Sequence, residues 1–241
     1  MAYAKALGAY DSRGTGMQVI SVNIGGIREI TWKGKAFKTA IFKEPVNEPV
    51  HVGLLGLVGD EHANTENHGG TLKALFAYPV EHYTEFWRQA LAGVLLAPGS
   101  FGENLTTQGW MDHQIGVGDT YRVGKALVKV TIPRKPCFKL NARLGRDDVL
   151  AQYLKSKRTG FYLAVVEPGD IAVGDRIELV ESHPSQVTPI DLVNLYLGHT
   201  VDPELRDRAL KLGVLTQPMR DLLNQRFEYF DHQSEEEKAE F

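Results

Sequence analysis

The character of this chain changes at His183-Pro184-Ser185. Before that point the sequence reads as short β-type runs interrupted by glycine. After it, three stretches each open with a capping residue or glutamine beside a proline, then continue as a helical apolar stripe. A chain divided in this way is expected to be α+β, mainly β with a helical appendage. We expect a β-rich domain over residues 17–182 and a three-helix domain over 186–231. The 241 residues are enough for one large domain with a small addition.

In the first part, Val19 to Ile24, Ile27 to Trp32, Ala36 to Phe42, Val50 to Val58 and Lys73 to Tyr78 have strand character. Tyr121 to Ile132 reads as the longest strand, followed by Phe161 to Val166 and Ile177 to Val180. The segments Ile115-Gly116-Val117-Gly118-Asp119 and Ile171-Ala172-Val173-Gly174-Asp175 echo each other. Each is read as a turn, with glycine supplying positive φ and aspartate bonding nearby backbone. Helical spacing interrupts the strands at Pro79 to Ala92 and at Asp147 to Lys157. In the tail, Thr188-Pro189, Asp202-Pro203 and Thr216-Gln217-Pro218 are the helix starts, and Gly198 and Gly213 can end the first two. Residues 1–16 are expected to be an extension or tag outside the fold, with Met17 as the natural start. The acidic stretch 232–241 is expected to be frayed.

Composition limits the function classes. The formal net charge is −3, so no basic excess exists to neutralise a nucleic-acid polymer. No apolar run approaches the ~18–20 residues that span a bilayer. A single cysteine cannot form an internal disulfide, which makes the cytoplasm the expected compartment. The chain has no Gly-x-Gly-x-x-Gly between strand and helix, no P-loop, and too few cysteines for an all-cysteine iron–sulfur cluster.

The one cysteine, Cys137, sits in Pro133-Arg134-Lys135-Pro136-Cys137-Phe138-Lys139, with Asn141 and Arg143 close behind. The prolines stiffen the loop and remove two backbone donors. Surrounding cations favour thiolate over thiol, which suits a nucleophile or a soft-metal ligand. The alternative is a small buried hydrophobe among solvated charges. A second candidate is Gly59-Asp60-Glu61-His62 through His68-Gly69-Gly70, followed by Lys73. The glycine pair either turns the chain or presents N–H groups to an anion. His62 and His68 lack the i, i+4 spacing of a helical zinc site. A third is Pro98 to Thr106, whose Phe101, Gly102, Glu103 and Asn104 enter a strand.

Several separated motifs, in order, resemble the MOSC domain family, the type named for the molybdenum cofactor sulfurase C-terminal domain, and within it the YiiM-like bacterial subgroup with a three-α tail. They are Gly59-Asp60-Glu61-His62 with His68-Gly69-Gly70, Tyr78-Pro79-x-Glu81-His82-Tyr83, Phe101-Gly102-Glu103-Asn104-Leu105, Pro133-Arg134-x-Pro136-Cys137-x-Lys139-Leu140, and Thr159-Gly160-Phe161-Tyr162. The resemblance runs from Met17 to about Phe230. The chain departs from the pattern at Thr71-Leu72 and Ile132.

The resemblance implies a barrel-like MOSC core and a molybdopterin-type molybdenum cofactor. Cys137 would be both the catalytic residue and the molybdenum ligand. Cofactor contacts would come from Arg28, His68, Gly69, Gly70, Lys73, Phe101, Gly102, Glu103, Asn104, Arg134, Lys135, Asn141 and Arg143. The implied activity is reduction of N-hydroxylated compounds, such as hydroxylamino-purines, to amines. With no flavin, nicotinamide or iron–sulfur fingerprint, a separate electron-donor protein is expected. A cofactor carrier or sulfur-transfer protein using a Cys137 persulfide is the competing reading, and the tail helices allow a homodimer.

Overall fold

The computed structural model describes residues 16–63, 69–200 and 202–231. The expectations for residues 1–15, for His68 and for 232–241 lie outside the described residues.

Eight strands form one mixed sheet: β1 (Gln18–Ile24), β4 (Glu44–Val46), β7 (Leu75–Pro79), β8 (Leu105–Gln108), β9 (Thr120–Val123), β10 (Ala126–Pro133), β11 (Phe161–Glu167) and β13 (Ile177–Glu181). Their spatial order is β13-β9-β10-β11-β7-β8-β1-β4. All pairs are antiparallel except β7 with β8. Two small sheets flank it, one of β2 (Arg28–Trp32) with β3 (Lys35–Thr39), the other of β12 (Gly169–Ile171), β5 (Val50–Gly53) and β6 (Gly56–Leu57).

The expected α+β class is found, but the sheet stops short of a closed barrel. An isolated Gln18–Arg176 bridge links β1 to the start of β13, and Ile177 N–H donates to Met17 O at 2.9 Å. No ladder continues from there, because the other half of β1 pairs with β4. Central β7 is buried along its whole length. Leu75 and Ala77 join one apolar cluster, while Phe76 and Tyr78 join another on the opposite face. That is the period-two alternation of a strand covered on both sides.

The strand expected over Tyr121 to Ile132 is two strands. Gly124, at φ 54°, lets β9 turn back onto β10. Val50 to Val58 is likewise a hairpin, β5 and β6 pairing Val52 with Leu57. The echoed Gly-Asp turns match as expected. Asp119 and Asp175 each accept the N–H three residues earlier, from Gly116 and Ala172, both at 2.7 Å.

Six helices are present among the described residues. Helix α1 spans 80–90 and contains a π-type turn at Tyr83–Trp87. Helix α2 (Lys139–Leu144) follows the cysteine loop and was not anticipated. Helices α3 (Val149–Ser156), α4 (Pro189–Leu197), α5 (Pro203–Leu210) and α6 (Gln217–Asp231) were. Thr188 and Asp191 form a capping box on α4, and Asp202 caps α5. Helix α5 ends at Leu210, before the expected Gly213. The tail helices have no core of their own. Val187, Leu192, Leu195, Leu205 and Leu223 share one cluster with Phe76, Tyr78, Trp87, Phe101 and Ile132. No described helix is long and apolar enough to cross a membrane.

Candidate functional site

Strand β10 delivers the cysteine loop. Pro133 is its last residue, paired with Phe161 of β11. With no amide proton there, the ladder cannot extend, and the chain turns into Arg134. The loop ends where Leu140 N–H donates to Cys137 O at 3.0 Å, just inside α2. Cys137 is half-buried and opens onto a cavity.

The cavity wall is cationic and aromatic. Lys43, Lys73, Arg134 and Lys139 line it, with His62 and Glu61. Phe76 and Tyr162 line it too, their rings 5.4 Å apart and tilted by 46°. Gly69 and Gly102 line it as well, at φ 106° and 79°. Among the described residues, no three His, Cys, Asp or Glu side chains converge as a metal cage.

Each cation is held differently. Arg134 is buried, lies 4.7 Å over the Phe76 ring, and donates through Nη1 to the Phe101 carbonyl. Burial opposes its charge, but the fields of Tyr153, Tyr162 and Cys137 outweigh this and hold its pKa above the ordinary guanidinium value. Lys43 is ion-paired with Asp60, and both side chains are buried. Burial nevertheless pulls Lys43 below the ordinary lysine value, partly countered by Asp60. Burial also lowers His62, against the pull of Asp60, and lowers Lys73. Lys139 donates to Lys38 O at 2.9 Å, tying α2 to β3.

The third sequence candidate is scaffold more than wall. Glu103 is fully buried and accepts from the Tyr83 hydroxyl (2.5 Å), Gly99 N–H (2.8 Å), Phe101 N–H (3.1 Å) and the Thr106 hydroxyl (2.8 Å). It fixes the loop whose Phe101 carbonyl holds Arg134. The Phe101 ring stacks on Tyr78 at 4.9 Å, away from solvent. Asn104 reaches the cavity, but its amide is used, accepting from Phe76 N–H at 3.0 Å and donating to Asp60 at 2.9 Å.

The expected set therefore divides. The structure brings Cys137, Gly69, Lys73, Gly102, Asn104 and Arg134 to one cavity. Gly70, at φ 81°, leads into the 3-10 turn Thr71–Lys73 that carries Lys73. Phe101 and Glu103 stand behind the wall. Lys135 is exposed on the loop. Asn141 is a local brace, accepting from Leu150 N–H at 2.8 Å and donating to Asp147 O at 2.7 Å. Arg28 and Arg143 lie apart from the cavity, both over the Phe42 ring. Lys43 and Tyr162 were not singled out from sequence. Tyr162 sits in one of the resembling motifs, whereas Lys43 had no local signal.

The donor set fits a molybdopterin-type group on chemical grounds. A cysteine sulfur is a soft ligand, and the cations on the wall suit phosphate. Comparison with known proteins agrees in kind. Residues 64–178 match the model of the MOSC domain. Protein YiiM of Escherichia coli is 38% identical over 181 residues, 74% of this chain and 80% of that protein. A protein named "Reductase" from Gibberella moniliformis is 36% identical over 207 residues, covering 85% of this chain but 36% of that protein. The crystal structure of YiiM from Geobacillus stearothermophilus superposes with a TM-score of 0.71 at 29% identity, covering 88% of this chain and 99% of that one.

Proposed function

This chain belongs to the MOSC domain family, and we propose that it is a molybdenum-cofactor-dependent reductase of N-hydroxylated compounds, with Cys137 as the protein's ligand to molybdenum. The observation that carries this reading is the placement of Cys137 on a cavity walled by Lys43, Lys73, Arg134 and Lys139. A relative named as a reductase supports the reaction class. When bound, the cofactor supplies a two-electron redox centre next to the Cys137 sulfur.

The reaction R–NHOH + 2 e⁻ + 2 H⁺ → R–NH₂ + H₂O breaks an N–O bond and consumes two protons. The chain's own residues would bind, orient and protonate. Phe76 and Tyr162 add aromatic surface to the cavity in which a base would lie. Lys43 and His62 line the same space, and burial lowers the pKa of each, so each gives up a proton more readily than in water. Arg134 holds an anion without losing charge. Electrons would come from a separate donor protein.

Metal analysis of the purified protein and its Cys137→Ser variant tests the reading. Molybdenum near one per chain, lost in the variant together with turnover of an N-hydroxylated purine, is the expected result. A metal-free protein carrying about one extra sulfur on Cys137 would instead mark sulfur transfer. Full activity in Cys137→Ser would remove the central residue from the mechanism.

A further inference from the structure

We propose that the β2–β3 hairpin is a lid on the Cys137 cavity, and that an anion held in the cavity by Lys139 keeps the lid shut. The hairpin pairs only with itself, in a sheet of two strands, and most of its side chains face solvent. An isolated pair of strands is marginal in water, so its position depends on what it is tied to. The ties lead to the cavity. Where the chain enters β2, Ile27 N–H donates to Glu61 Oε2 at 2.5 Å, and Glu61 lines the cavity. On β3, the Phe37 ring meets Phe138 edge-on, centroids 4.9 Å apart. Lys139 donates to Lys38 O at 2.9 Å, with its ammonium 5.8 Å from the centre of the Phe37 ring. Phe138 and Lys139 follow Cys137 directly. In the turn, Lys33 is ion-paired with Asp147, between α2 and α3, at 2.7 Å. Past the end of β3, Ala40 and Ile41 line the cavity themselves.

The base of the hairpin is fixed and its outer ties are weak, which is the mechanical condition for a lid. At the base, Gly25 N–H donates to Asp60 at 2.9 Å. A Cβ on Gly25 would lie 2.7 Å from Phe42 O, so the incoming and outgoing chains touch there. Further out, Lys33 and Asp147 are 63% and 64% exposed, and Phe138 is 51% exposed. Ties of that kind are individually weak and open locally without unfolding the rest. Lys139 joins the lid to the contents of the cavity. Its ammonium has three donors, and Lys38 O takes one. An anion in the cavity takes another and fixes a flexible side chain whose ordering the latch must otherwise supply alone. Closure and anion binding therefore favour each other, each by the same factor.

The test uses protein prepared without molybdenum, so its outcome is independent of the reductase reading. Cys137 is the only cysteine, and its rate of labelling by a bulky maleimide reports how often the cavity is open. Trp32 sits on the hairpin and is half-buried, whereas Trp87 and Trp110 are fully buried, so acrylamide quenching of fluorescence reports the hairpin. Phe37→Ala should speed maleimide labelling about tenfold. Asp147→Ala, which loses one exposed ion pair, should speed it about two- to fivefold. Both should raise quenching of Trp32, and both should affect labelling by the smaller iodoacetamide less. Asp147→Ala leaves Phe138 and Lys139 in place, so faster labelling there comes from the hairpin and not from a loosened cysteine loop. Arg122→Gln, which loses an exposed ion pair on β9, should match wild type. Inorganic pyrophosphate should reduce Trp32 quenching and slow amide exchange over residues 28–39 in wild type, but not in Lys139→Met. Unchanged labelling in Phe37→Ala and Asp147→Ala, or equal acceleration of the large and small reagents, overturns the lid. A pyrophosphate effect that is absent, or that persists in Lys139→Met, overturns the coupling through Lys139.

Discussion

Lys43 and Asp60 are ion-paired on the floor of the cavity, with side chains 7% and 1% exposed. The pair is not symmetrical. Asp60 also accepts from Gly25 N–H and from the Asn104 amide, both at 2.9 Å, so it serves three donors. Asp60→Ala leaves a buried ammonium and two orphaned donors, and should cost about 3–5 kcal/mol. Lys43→Met leaves a carboxylate that still has two donors, and should cost about 1–3 kcal/mol. Urea denaturation of both variants checks the order. A larger loss for Lys43→Met would contradict this account of the floor.

Glu103 should give the fold a pH dependence of its own. Burial raises its pKa above the ordinary 4.5, against the pull of its four donors. A carboxyl shifted upward on folding stabilises fully below the unfolded value, and that contribution is lost as pH rises through the folded value. Wild-type stability should therefore fall from this source above pH 4.5. Glu103→Gln removes the slope. It also sets an amide against N–H donors and should cost about 2–4 kcal/mol at neutral pH. Denaturant melts across a pH series decide it. A variant with the same slope as wild type would show that Glu103 is not the source.

Gly99 is where the scaffold loop touches the floor. Its φ is 85°, and a Cβ there would lie 2.5 Å from the Lys43 carbonyl oxygen. Gly99→Ala must strain its own backbone and push the Lys43 segment, costing at least ~2 kcal/mol. Because Lys43 lines the cavity, the variant should also weaken ligand binding. Gly145→Ala shares the positive φ but meets nothing within 4 Å. It should cost less, about 1 kcal/mol, with binding unchanged. Melting curves and ligand titration of the two variants make the comparison.

The tail helices should unfold together with the sheet. Leu192 and Leu223 are fully buried in the cluster that contains Phe76 and Ile132. Leu192→Ala and Leu223→Ala should each cost about 2–5 kcal/mol. Each should give one cooperative transition by tryptophan fluorescence and by circular dichroism. Two separated transitions would mean that the helices form a body of their own.

The parts of this fold legible in the sequence are those specified by local chemistry. Thr188, Asp202 and their prolines announced two helix starts because caps act within four residues. The Gly-Asp turns were legible for the same reason. The split of Tyr121 to Ile132 into two strands was missed, since Gly124 interrupts an alternation that runs on either side of it. Helix α2 was missed because six residues are too few for an apolar stripe to declare itself. In the site, Cys137 and Arg134 were visible through a stiff, cation-rich loop. Lys43 was not, because its role depends on Asp60, 17 residues away, and on burial that no local pattern encodes. Glu103 was read from sequence as a cofactor contact; its four hydrogen-bond partners belong to the loop, to α1 and to β8, and it does not line the cavity.

The shared core bears on where this molecule could be cut. The segment that the MOSC model recognises runs from residue 64 to 178. Strand β8 inside it is paired on one side with β1, which lies outside. Phe76, Tyr78 and Ile132 inside it are covered by Leu192, Leu195 and Leu223, also outside. Produced alone, that segment would have an unpaired strand edge and a bare apolar face, the two features that drive chains to aggregate. Its recognisable boundary and its foldable boundary are different, and a soluble minimal version has to begin before β1 and end after α6.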